Sequence, residues 1–124
     1  MVELNCETDF VALTDQFQNL AKELTMQVVA SRPLYVQRED IPEEVVAEKE
    51  REIKAQMERA NKPPHILERI IAGKMKKFFE ESCLLEQPYI RDTDMTIGEL
   101  IDRHNAVLGE NIVVRRFVCY ELGQ

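Results

Sequence analysis

No apolar run in this sequence approaches the ~20 residues needed to cross a bilayer, and no basic-then-apolar leader opens it. The expectation is a soluble, cytoplasmic chain, made without export and working away from membranes. Cysteine is scarce: Cys6, Cys83 and Cys119 are odd in number and include no CxxC. That speaks against a disulfide framework or a zinc site and suits a reducing compartment. Cys6 and Cys83 read as buried, inert thiols, while Cys119 could approach a symmetry mate in a dimer. Catalytic signatures are missing as well. No P-loop, GxGxxG, HExxH or GxSxG occurs, so neither an enzymatic role nor a metal or cofactor is expected. His65 follows Pro63-Pro64 and reads as solvated or capping. His104 shares a helical face with Ile97, Leu100, Ile101 and Leu108, the setting of a satisfied, partly buried side chain rather than a ligand. Positive charge is also short. The formal net charge is -7, and the basic clusters are only Lys74-Met75-Lys76-Lys77 and Arg115-Arg116. Such a surface repels phosphate backbones, so no direct nucleic-acid binding is expected.

What is present suits one globular domain over residues 1–124, 44% hydrophobic by the wide count and 31% charged. Val2, Leu4 and Cys6 alternate with Glu3, Asn5 and Glu7, a strand with one dry face. Thr8 or Asp9 then offers an oxygen to cap a helix, which the pattern carries to about Ser31. Phe10, Leu13, Phe17, Leu20, Leu24 and Val28 mark its buried stripe, and Arg32-Pro33 ends it. Asp40 is placed to cap a second helix from Pro42 to about Ala60, mostly charged, with a thin seam of Val45, Val46, Ile53 and Met57. A third helix runs from about Pro64 to Ser82 with Leu67, Ile70, Ile71, Met75, Phe78 and Phe79 inward, and Gly73 in its middle suggests close helix approach. Leu84 to Ile90 reads as an edge strand or linker broken by Pro88. Thr96, with Glu99 three residues on, caps a short helix that Gly109 ends near Leu108. Ile112 to Leu122 is the best strand candidate. The predicted class is α+β, a two-layer sandwich in which a small antiparallel sheet carries helices on one face.

Three stretches together resemble the signatures of the elongation factor Ts family: Asn5-Cys6-Glu7-Thr8-Asp9-Phe10-Val11, Cys83-Leu84-Leu85-Glu86-Gln87-Pro88, and Leu108-Gly109-Glu110-Asn111-Ile112-Val113-Val114-Arg115-Arg116-Phe117. The resemblance implies a guanine-nucleotide exchange factor that promotes GDP release from elongation factor Tu. It maps the family's partner-binding motif onto Thr8, Asp9, Phe10 and Val11, with Phe10 inserting near the GTPase's Mg²⁺ site, Asp9 fixing the approach and Val11 supporting the packing. The residues alone leave another reading open, in which Thr8 and Asp9 only cap and Phe10 belongs to the core stripe. The family also carries a strand ahead of Val2 and an N-terminal helical domain, so the chain is expected to be a core domain lacking its N-terminal part. Short members pair as homodimers. Apolar residues on both sides of the last strand fit that: Ile112, Val114, Val118 and Tyr120 against Val113, Phe117 and Cys119. The alternative function is a dimerisation scaffold that binds the GTPase weakly or not at all without the missing domain.

Overall fold

The computed structural model describes residues 1–123. The chain enters on β1 (Val2–Asn5), and its last strand, β4 (Val113–Phe117), lies antiparallel beside it. Between them come α1 (Asp9–Ala12), α2 (Asp15–Ser31), α3 (Glu43–Glu58), α4 (Pro64–Ser82), β2 (Pro88–Tyr89), β3 (Asp92–Thr96) and α5 (Ile97–Leu108). The α+β class is as expected, with one amendment. The strands form two separate two-stranded ladders, β1–β4 and β2–β3, rather than one sheet. β3 escaped the sequence because Asp92, Thr93 and Asp94 are exposed and only Met95 is buried, so no alternation announces it. The contiguous core gathers Val11, Phe17, Leu20, Leu24 and Val28 with Leu84, Tyr89, Met95, Ile97, Leu100, Ile101, Ile112 and Val114.

A single helix from residue 8 or 9 to 31 does not form. α1 is one turn, and the backbone breaks at Leu13–Thr14 before α2 starts afresh. Thr14 explains the break. Its hydroxyl donates to the Val11 carbonyl at 2.7 Å and accepts the Phe17 N–H at 3.3 Å, closing one helix and opening the next. Threonine hydroxyls compete in this way with the backbone's own helical bonds. The 3.6-residue spacing ran through the break undisturbed, so the predicted stripe was too long. Phe17, Leu20, Leu24 and Val28 are buried as expected, whereas Phe10 and Leu13 stand 80% and 76% exposed.

A second correction concerns β4. Val2 faces Phe117 and Glu3 faces Arg116, but Leu4 faces Val114 and Asn5 faces Val113, which leaves Arg115 as an extra residue. This β-bulge flips the parity of the strand. Ile112 and Val114 point inward, Arg115 and Arg116 are both exposed, and Phe117 turns back against the core. Phe117 therefore sides with Ile112 and Val114, and the strand stops there, leaving Val118, Cys119 and Tyr120 exposed beyond it.

Caps decide the remaining boundaries. Arg32 takes a left-handed φ of 44° ahead of Pro33 and donates its N–H to the Val28 carbonyl, ending α2. Thr96 accepts the Glu99 N–H at 3.2 Å, and Gly109 closes α5 at φ 62°, both as predicted. Asp40 does not cap α3. It belongs to a 3-10 turn, Arg38–Asp40, where its carboxylate accepts the Gln37 N–H, and Pro42 holds the cap position with no side-chain bond. Gly73 marks no close approach either, since a Cβ there would meet nothing within 4 Å.

α3 and α4 pack as a hairpin in which Ile53 is the one buried apolar side chain of α3. Its root is fastened firmly. The Leu34 and Tyr35 N–H groups donate to the Ser82 carbonyl at 2.8 and 3.0 Å. Arg38 grips Glu86 with bonds of 2.7 to 2.9 Å while lying 4.3 Å from the Phe79 ring centroid. Deeper still, fully buried Gln27 bonds to Gln87 and the Pro88 carbonyl and accepts the Ile90 N–H.

Candidate partner-binding corner

Residues 8–11 occupy the corner where β1 gives way to α1. Thr8 is extended (φ -126°, ψ 144°), and its Oγ1 accepts the Val11 N–H at 3.2 Å, so Thr8 rather than Asp9 is the cap. The Cys6 thiol, half-buried rather than buried, donates to the Thr8 carbonyl at 3.2 Å and steadies the approach. From this frame the side chains diverge. Val11 is 9% exposed and packs in the core, while Phe10, one residue earlier, projects its ring into solvent. Asp9 is exposed in the same turn. Leu13, three residues beyond Phe10, is a further outward apolar side chain of the segment, and its exposure follows from the Thr14 break rather than from any spacing signal. A capped turn that buries its valine and displays its phenylalanine is suited to contact, not to self-packing. Aromatic side chains that fill a pocket on the partner are frequent anchors of interfaces.

The corner has a support that the sequence reading missed. The Thr8 hydroxyl donates to Glu110 Oε2 at 3.4 Å. Glu110 sits in the turn after α5, with its N–H on the Asn105 carbonyl at 3.2 Å. Asn105 in turn exchanges two bonds with Ile112, accepting its N–H at 2.6 Å and donating to its carbonyl at 3.3 Å. A long-range pairing between residues 8 and 110 leaves no trace in local spacing.

Perturbed titratable groups are a mark of catalytic sites, and those found here belong to packing contacts. Burial, with Glu86 nearby, pushes the Cys83 thiol up to about 11. Burial and a 2.7 Å bond to Glu23 push the Tyr89 hydroxyl up to about 12. Arg38 is raised by its bond to Glu86. His104 is half-buried with Nδ1 2.9 Å from the Leu100 carbonyl, a histidine satisfied by backbone. Among the described residues, no group of His, Cys, Asp or Glu gathers as a metal site would.

Residues 19–124 match the sequence model of the elongation factor Ts family. The chain belongs to that family. It is 55% identical over 124 residues to an elongation factor Ts of Thermodesulfovibrio yellowstonii and 55% identical to one of Moorella thermoacetica, with all of this chain covered each time. An elongation factor Ts of Thermoanaerobacter sp. is 54% identical. Those alignments include the corner at residues 8–11, which lies ahead of the family-model match. The chain spans about three fifths of its relatives' length, 62% and 61% in the first two cases. No helix among the described residues is long and apolar enough to cross a membrane.

Proposed function

We propose that this chain is the part of an elongation factor Ts that engages elongation factor Tu in the cytoplasm and promotes release of GDP, with Phe10 as the inserted side chain. The reasoning is linkage: a protein that binds the nucleotide-free GTPase more tightly than the nucleotide-bound one must weaken nucleotide binding by the same factor. What supports this reading is the exposure of Phe10, 80%, beside the buried Val11. The ring is held out at a corner fixed from both sides, as a wedge must be. Asp9 stands next to it, free to bond across the interface. The partner is a protein surface rather than RNA, in keeping with the net charge of -7.

The test is release of fluorescent GDP from purified elongation factor Tu, stimulated by the full-length protein or its Phe10→Ala variant. Interface anchors are worth ~2 kcal/mol or more, so the variant should slow stimulated release by about thirtyfold or beyond. Equal rates would end the proposal. The isolated chain is the natural comparison, because a fragment of three fifths of the protein could retain assembly without exchange.

A second reading concerns assembly and has its own observation. Val29, Leu34, Val118 and Tyr120 are all exposed around an open groove of about 530 Å³ between the end of α2 and the tail of β4. Two copies meeting there would cover the patch as a homodimer, with Cys119 at its margin. Sedimentation should show a dimer at micromolar concentration that Tyr120→Lys dissociates; a monomer at all concentrations would refute it.

A further inference from the structure

We infer that Glu110 is a positioning residue for exchange: it holds the Thr8 hydroxyl and, through it, the single turn that presents Phe10. This rests on the reading of Phe10 just given. The ring cannot hold itself in place, since it is almost wholly in solvent. Nor can its helix, because α1 is four residues long and a lone turn does not cover the cost of its own nucleation. Its geometry is therefore imposed from outside. Val11 anchors one side in the core. Thr8 anchors the other. A threonine hydroxyl has one hydrogen to give and lone pairs to accept with. Here the oxygen accepts from Val11 N–H at 3.2 Å, and the hydrogen goes to Glu110 Oε2 at 3.4 Å.

The register of the β1–β4 ladder explains why this acid is the one within reach. Counting on from the Asn5–Val113 pair, three steps along each chain bring Thr8 opposite Glu110. Had the register of the Val2–Phe117 pair continued unbroken, Asn111 would stand there instead. Beyond the last paired residues, the shift at Arg115 thus brings Glu110 rather than Asn111 toward the cap. The turn presenting it is fixed by Gly109 in its left-handed conformation and by the two-point grip of Asn105 on Ile112. This gives the turn between α5 and β4 a part in the site beyond joining the two elements.

The bond is long and solvent-exposed, so its loss should have a graded effect. With the full-length protein, Glu110→Ala should slow stimulated GDP release by about three- to tenfold. Glu110→Gln, which keeps an acceptor oxygen, should recover most of the rate. In a Phe10→Ala background the Glu110→Ala change should have little further effect, because no ring is left to position. The amide of Val11 should exchange with solvent faster in Glu110→Ala whether or not the partner is present. An unchanged Val11 amide, or an unchanged release rate beside a slowed Phe10→Ala, overturns the inference. So does a Glu110→Ala effect that multiplies fully onto Phe10→Ala, which would mean that Glu110 touches the GTPase itself. If Phe10→Ala releases GDP normally while the Val11 amide still loosens, the coupling stands and the wedge reading of Phe10 fails.

Discussion

Neighbouring residues Phe10 and Val11 should respond in opposite ways to the same substitution. Val11 is 9% exposed and part of the core, so Val11→Ala removes two buried methyl groups. At ~0.8 kcal/mol per buried carbon plus a cavity term, the expected loss is about 1.5–2.5 kcal/mol. For a domain of this size that corresponds to a fall in melting temperature of roughly 5–10 °C. Phe10→Ala removes a larger side chain, but one that folding leaves 80% in solvent. Its stability should stay within about 0.5 kcal/mol of the parent, helped by the better helix propensity of alanine. Circular-dichroism melts and denaturant titrations of both variants, run beside the GDP-release assay, separate packing from contact. Val11→Ala should lose stability first and slow exchange only as the corner loosens, whereas Phe10→Ala should slow exchange while melting normally. A drop in melting temperature for Phe10→Ala as large as that for Val11→Ala would show that the ring packs inside, and the argument from exposure would be wrong.

Gln27→Leu should be costly although it places an apolar side chain in a buried site. It strips the Ile90 N–H, the Gln87 amide oxygen and the Pro88 carbonyl of their partner, for an expected loss of about 2–4 kcal/mol by denaturant midpoint; a loss under ~1 kcal/mol would mean that the network is not holding the hairpin root. Alkaline pH should also destabilise the fold. The folded state keeps the Cys83 proton up to about 11 and the Tyr89 proton up to about 12, against ordinary values of 9.0 and 10.0, so the unfolded chain releases them first. Stability should be flat with respect to these groups below pH 9 and fall as pH rises from 9 toward 12. Urea midpoints measured across that range in reductant check the sign, and Cys83→Ala should remove the Cys83 share, so that the fall starts near pH 10 instead of 9.

Much of the architecture was legible because it depends on local chemistry. Thr96 and Gly109 bracket α5, Arg32-Pro33 stops α2, and Leu20, Leu24 and Val28 line the core, since caps, breakers and a helical period act over a few residues. Asp40 failed as a cap because a competing 3-10 turn took its carboxylate. The motif at Thr8–Val11 is visible in the sequence, but its side chains could not be assigned to core or solvent from spacing. Phe10 and Leu13 fit the buried stripe as well as Phe17 does. One hydroxyl, on Thr14, turned them outward by bonding both ways across the break.

Which residues join the helices, where they stop and which short motif sits at the first helix start were all set by the amino-acid order, through interactions reaching no further than a turn. That an acid a hundred residues later supports the Thr8 corner was decided only when β4 paired with β1. Arg115 bulged out of that ladder, and the displacement of one residue fixed both the inward turn of Phe117 and the partner of Thr8. Register between distant strands is a property of the assembled sheet, and no local pattern encodes it.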